Sequence, residues 1–292
     1  MMEDAIVNLT KNHGSVSSSK QYQFSTLVRC VLFWLVFMGL LFLGGSFFVP
    51  LFRKDWSSMF FGIAGTIAAM ITIFFFLIKE KLRFNQIWLA FEGRSLTRFI
   101  SGYLVGTIIC AIMIAVLILS TDLQLKPNNS FVFSTTIFIS YLAFIPLGLM
   151  EELAFRSYTF VKLNATFNFQ ITQLVVAIAF AAYHIIGGQG ILSALLGPGV
   201  WAYVFGLATI RYRGIAMPLG LHVAANVSQA LAGMKGKKDA IWILDYSVPP
   251  GVEAMAHTET IGVLMHIMML IIAVLLTELY SWKTKRLNDY KY

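Results

Sequence analysis

The sequence predicts an all-α fold: a polytopic integral membrane helical bundle of about eight transmembrane helices. Two observations carry that prediction. The chain of 292 residues is 58% hydrophobic and only 12% charged, where a soluble domain carries about 25% charged residues. Its mean hydropathy is +0.75. The apolar residues are also gathered into eight runs that approach the roughly 20 residues a helix needs to cross a bilayer. One membrane anchor on a soluble domain would not produce this pattern.

Residues 1–25, including HGSVSSSK, are polar and read as a flexible cytoplasmic tail. Residues 26–130 hold the amino-terminal transmembrane helices, in apolar runs at 27–49, 58–78 and 99–120. The first run is long for a signal-peptide core and starts late, so it reads as a retained helix. Between the second and third runs, KEKLRFNQIWLAFEGRSLTR (79–98) sets basic groups beside Trp88 and Phe91 and fits an interfacial amphipathic connector. Residues 131–232 form a core with runs at 131–163, 170–186, 191–210 and 215–232, the first broken by charged residues. Residues 233–292 supply an outer loop, a last transmembrane run at 260–281 and a basic cytoplasmic tail.

Eight spans put both termini on one side. With the termini inside, the inner segments hold sixteen Lys and Arg and the outer segments six. The positive-inside rule therefore expects both termini in the cytoplasm, most simply at the cell membrane. The net charge of +8 belongs to these basic loops, so nucleic acid is not an expected partner. Cys30 and Cys110 lie within apolar runs and read as small core residues rather than a disulfide.

Three polar constellations interrupt the core. In LGLMEELAFRSY, Glu151 and Glu152 are adjacent and Arg156 follows. Neighbours on a helix point about 100° apart, so the two acids face different ways. Glu152 and Arg156 are four apart and can pair, which leaves Glu151 free. In AIAFAAYHII, Phe180 and His184 share a helix face; in PLGLHVAANVSQ, His222 and Asn226 do. Pro218, one turn earlier, removes a backbone donor and can kink that helix, opening room for solvent. A lone histidine in an apolar helix is usually a hydrogen-bonded core residue, and His266 reads that way. Three such constellations in succession do not, because ionisable groups at membrane depth mark functional sites.

Depth brings them together. If the fourth helix continues to Asn164, Glu151 lies about 20 Å from that end; His184 lies about 21 Å past Gln170, and His222 about 12 Å past Gly214. All fall within a hydrocarbon layer about 30 Å thick. The set of Glu151, His184, His222 and Asn226 fits activation of water by a carboxylate, with imidazole and amide groups at an oxyanion. It fits a zinc site equally, with Glu151, His184 and His222 as ligands.

The three motifs resemble the signature of the CAAX proteases and bacteriocin-processing enzymes (the CPBP, or Abi, family), whose best-known members are the type II CAAX prenyl proteases. The resemblance covers about residues 135–230. It implies an eight-helix intramembrane endopeptidase with a cavity open to the cytoplasmic side. By similarity, Glu151 would activate water with help from His184, His222 and Asn226 would stabilise the oxyanion, and Glu152, Arg156 and Phe180 would support the site. The family has been described both as metalloproteases and as glutamate-dependent proteases, so a divalent metal such as zinc stays open. The expected partners are the bilayer and a peptide or lipidated protein. Two other readings compete: a non-catalytic relative serving bacteriocin immunity or regulating a membrane partner, and a proton-coupled transporter.

Overall fold

A computed structural model describes residues 16–90 and 92–289. Residues 1–15 of the expected tail, Phe91 of the connector and Lys291 lie outside the described residues. Among the described residues, eleven α-helices and a two-stranded antiparallel ribbon follow one another. They are α1 (Val16–Leu43), α2 (Ser57–Glu80), α3 (Ser95–Ser120), β1 (Leu123–Pro127), α4 (Thr135–Leu142), α5 (Phe144–Arg156), α6 (Tyr158–Thr166), α7 (Phe169–Ile186), α8 (Ile191–Ala194), α9 (Val200–Tyr212), α10 (Ala216–Leu231), β2 (Trp242–Tyr246) and α11 (Val252–Asp289). Among the described residues, seven helical segments are long and apolar enough to span a membrane: this is an all-α, polytopic integral membrane bundle.

All eight expected runs are helical. The seventh, α10, has 16 residues, or about 24 Å at helical rise, and falls short of a span by length alone. The fourth is one composite span, Thr135–Thr166, made of α4, α5 and α6. It continues past the acids as the depth argument requires, but Ser157 breaks it, with φ −103° and ψ −110°. The Ser157 hydroxyl donates to the Leu153 carbonyl, occupying an acceptor at the break. One expectation fails: residues 16–25 belong to α1 rather than to a flexible tail. In the connector, Lys81 and Trp88 adopt left-handed backbone conformations on either side of a short 3-10 turn, Phe84–Ile87. Ile87 is buried, the Trp88 ring lies 6.2 Å from that of Phe160, and Lys79, Lys81 and Arg83 stay exposed.

Hydrogen bonds give each helix its direction. The Thr26 and Thr166 hydroxyls are 3.2 Å apart, and Trp34 Nε1 donates to the Ala154 carbonyl at 3.2 Å, so α1 runs against α5 and α6. Thr66 Oγ1 donates to the Pro146 carbonyl at 3.1 Å, and Glu80 reaches Lys162 at 2.6 Å, so α2 runs with them. Gln173 Nε2 donates to the Tyr203 carbonyl at 3.0 Å while Gly199, just before α9, faces Ala181, and Gln170 Nε2 donates to Ser281 Oγ at 2.9 Å while Gln173 Nε2 reaches Thr277 Oγ1 at 3.4 Å; α9 and α11 therefore run against α7. These bonds gather Thr26, Glu80, Thr166, Gln170 and Ser281 at one end of the bundle, the terminal end. At the other end β1 pairs β2, with Leu123 opposite Tyr246. This ribbon end ties the loop after α3 to the loop after α10.

Glycines set the closest packing. A Cβ at Gly220 would lie 2.1 Å from the Phe99 carbonyl oxygen, and one at Gly102 would lie 2.2 Å from that of Met217. Gly106 faces Leu221 and Ala224 in the same way. The numbers rise together, so α3 and α10 run in parallel at backbone contact. α10 thus crosses the same layer as α3 despite its length.

Candidate active site

Residues 150–156 of α5 are all buried. A helix apolar on every side is buried on every side, and this one takes its acids with it. Glu152 and Arg156 lie one turn apart, with Oε1 and Nη1 at 3.5 Å and no exposed side-chain surface on either. The Arg156 guanidinium makes no hydrogen bond among the described residues. Aromatic faces surround it instead, with Phe180 at 4.1 Å and Phe205 at 5.2 Å from Cζ. Such faces attract a cation through the ring quadrupole.

Glu152 does more than pair with Arg156. Its Oε1 lies 2.9 Å from His222 Nδ1. The other imidazole nitrogen, Nε2, lies 3.5 Å from Glu151 Oε2. His222 therefore bridges the adjacent acids, which point apart as the helix requires. Phe205 stacks on the His222 ring, with centroids 4.9 Å apart and planes 15° from parallel. Gly148, one turn before the acids, admits this approach: a Cβ there would touch Leu219 and Val223 of α10. The Tyr183 hydroxyl interacts with the Glu151 carboxylate from the α7 side.

His184 lies in the same neighbourhood but in a different bonding state. Its Nδ1 is 2.9 Å from the Phe180 carbonyl one turn back, and its ring meets the Phe180 ring edge-on at 4.6 Å. With Nδ1–H donating there, Nε2 is an acceptor. His184, His222 and Asn226 line one cavity of about 380 Å³. The structure thus brings all four expected residues to one region, but the imidazole against Glu151 is that of His222, not His184. Pro218 does not kink α10. It occupies the first turn, where a missing N–H costs nothing.

Other lining residues carried weaker signals. His266, read above as an ordinary core histidine, faces the cavity from α11, with Nδ1 2.7 Å from the Gly262 carbonyl. Gly197 and Pro198 belong to a π-helical turn, Leu195–Gly199, that adjoins the cavity. The LLGPG string marks that irregularity in the sequence. Lys235 reaches in from the loop after α10, its Nζ 6.0 Å from the Phe144 ring.

Among the described residues, no three His, Cys, Asp or Glu side chains gather closely enough to hold a metal ion. His222 already spends one nitrogen on Glu152 and turns the other to Glu151. The set of Glu151, His184 and His222 does not fit a zinc site in this arrangement.

The cavity lies in the ribbon half of the bundle. Its walls come from the later turns of α3, α7 and α10 and the early turns of α9 and α11, and it reaches exposed Met234 and Lys235. Phe155, Arg156, Tyr158 and Phe160, nearer the terminal end, are each no more than 2% exposed. Cytoplasmic termini and a cytoplasmic cavity were both expected, yet termini and cavity lie at opposite ends. The two expectations exclude each other.

Fold and site together define a class: a polytopic helical membrane protein with a buried glutamate–histidine centre beside a cavity lined by His184, His222 and Asn226. Residues 131–228 match the family model described as type II CAAX prenyl endopeptidase Rce1-like. The match covers a third of the chain, from just before α4 into α10, and holds all seven motif residues. It is the resemblance that the three motifs carry, and it supports protease activity at a membrane. No curated protein matches the chain.

Proposed function

We propose that this protein is an intramembrane endopeptidase that hydrolyses a peptide bond of a membrane-associated or lipidated substrate with water activated by Glu151. One observation carries the reading. Glu151 is set against His222 Nε2 at 3.5 Å, and the opposite nitrogen of that ring is held by buried Glu152 at 2.9 Å. A carboxylate that holds an imidazole through its far nitrogen sets the ring's orientation.

In this mechanism Glu151 takes a proton from water as the oxygen attacks the scissile carbonyl carbon. The oxyanion that forms is met by the His222 ring at Nε2 and by the Asn226 amide. Removing one such donor costs about 10²–10³-fold in rate in other hydrolases. The proton that Glu151 took passes to His184 Nε2, which is free to accept it, and from there to the departing amine as the tetrahedral carbon collapses and the C–N bond breaks. Arg156 and Glu152 hold His222 in place and keep the buried charges balanced.

The test is cleavage by purified protein in liposomes. Prenylated and unprenylated peptides are offered to wild type and to Glu151→Gln, and fragments are read by mass spectrometry. The proposal expects cleavage by wild type and none by the variant, with both proteins equally folded. No fragment from any peptide with folded wild type would favour a non-catalytic role in immunity or regulation. Equal cleavage by the variant would remove Glu151 from the chemistry.

A further inference from the structure

We infer that His266 is a further substrate-binding residue of this site, and that its Nε2 accepts a hydrogen bond from the scissile amide N–H. The placement of His266 stands on geometry; its contact with substrate rests on the peptidase reading above.

His266 lies on α11, beyond the matched segment 131–228, so the family match gives it no role. α11 docks on the bundle by a narrow seam that buries Met265, Ala273, Thr277 and Ser281. The two polar members of that seam have partners on α7: Gln170 Nε2 donates to Ser281 Oγ at 2.9 Å, and Gln173 Nε2 to Thr277 Oγ1 at 3.4 Å. These contacts fix the register of two antiparallel helices. His184 lies eleven residues past Gln173 on α7, and His266 lies eleven residues before Thr277 on α11. At helical rise each is about 16 Å along from that tie, so the two imidazoles stand at one level. Both line the cavity.

The two rings also share a bonding state. His266 Nδ1 lies 2.7 Å from the Gly262 carbonyl, as His184 Nδ1 lies 2.9 Å from that of Phe180. A carbonyl only accepts, so Nδ1 carries the proton in each ring and Nε2 is left as an acceptor. Neither Nε2 has a hydrogen-bond partner among the described residues. Polar groups away from water are normally paired, and an ionisable residue inside a span marks function. Two acceptors lining one cavity at one level cannot bond each other; a donor between them satisfies both. The scissile amide brings such a donor. In the mechanism above, its nitrogen leaves by taking a proton from His184. With its own N–H held by His266 Nε2, the lone pair that grows on that nitrogen, as the carbonyl carbon turns tetrahedral, is aimed at His184. No proton moves to His266 in this step. The substrate class follows: the bond cut is a secondary amide, and a residue without an N–H after it, proline above all, is disfavoured.

The test is a cycle of proteins and substrates. A peptide that wild type cleaves in liposomes is compared with its ester analogue, in which oxygen replaces the scissile N–H. The value of kcat/KM is measured for wild type and for His266→Phe, which keeps a ring and loses the acceptor. The expected result is a loss of about two- to tenfold for His266→Phe on the amide, the worth of one neutral hydrogen bond, and no loss on the ester. His266→Leu should match His266→Phe, and His266→Gln, whose Oε1 accepts, should recover part of the amide loss. An equal loss on amide and ester would make His266 a structural residue, and no loss on the amide would remove it from the substrate. Either result overturns the inference and leaves the peptidase reading standing. No cleavage of any peptide by folded wild type would defeat the peptidase reading, and the substrate contact with it.

Discussion

The ion pair beneath the site offers the sharpest energetic test. Glu152 and Arg156 stand at 3.5 Å with neither side chain exposed. At an effective dielectric of about 20, opposite charges at that distance attract by about 5 kcal/mol. Breaking a buried pair by removing one partner costs about 3–5 kcal/mol, because the survivor stays charged and unpaired. Glu152→Gln leaves Arg156 with Glu151 as its remaining nearby counter-charge. Arg156→Met leaves two adjacent acids with no cation beside them. Each variant should therefore lose about 3–5 kcal/mol of stability, Arg156→Met the more. The double variant Glu152→Gln/Arg156→Met buries no unpaired charge at this position and keeps an acceptor for His222 Nδ1. Replacing a buried pair by uncharged groups of similar volume is often neutral, so the double variant should recover most of the loss, leaving a coupling of about 3 kcal/mol or more. The assay is equilibrium unfolding in mixed micles of detergent, with unfolding followed by tryptophan fluorescence. If the two losses simply add, or Arg156→Met unfolds no more easily than wild type, the pair does not balance buried charge and the reasoning fails.

Gly220→Ala should collapse the yield of folded protein, since its Cβ would meet Phe99 and Tyr103 backbone atoms at 2.1 and 2.7 Å; Gly262→Ala, with nothing within 4 Å, should be neutral on size-exclusion chromatography. Phe205→Leu, which removes the ring stacked on His222, should fold yet lower the rate constant for a peptide that wild type cleaves, and unchanged turnover would deny the ring a positioning role. Thorough chelation, with metal content measured on the same sample, should leave cleavage intact; loss on chelation with rescue by zinc would place a metal in the site.

Much of this protein was legible in the chain itself. The length of the apolar runs made a helical membrane bundle unavoidable, because only helices and closed barrels satisfy backbone groups in lipid. Spacing of four paired Glu152 with Arg156, and helical rise put Glu151, His184 and His222 within one hydrocarbon layer. Those are properties of single helices, and one period describes them. Other features depended on how helices rotate and cross. The partner of Glu151 is His222 rather than His184 because glycine contacts hold α10 against α3 and Gly148 lets it lean on α5. The ribbon end had no strong strand signal, since LQLKP and WILDY are short and pair only with each other across the fold. His266 and Lys235 reach the cavity from segments far along the chain. The sequence by itself determined the class, the depth of the polar residues and the basic end. Only the tertiary structure decided which imidazole meets the carboxylate and at which end the cavity opens, because both follow from contacts between helices that no single run contains.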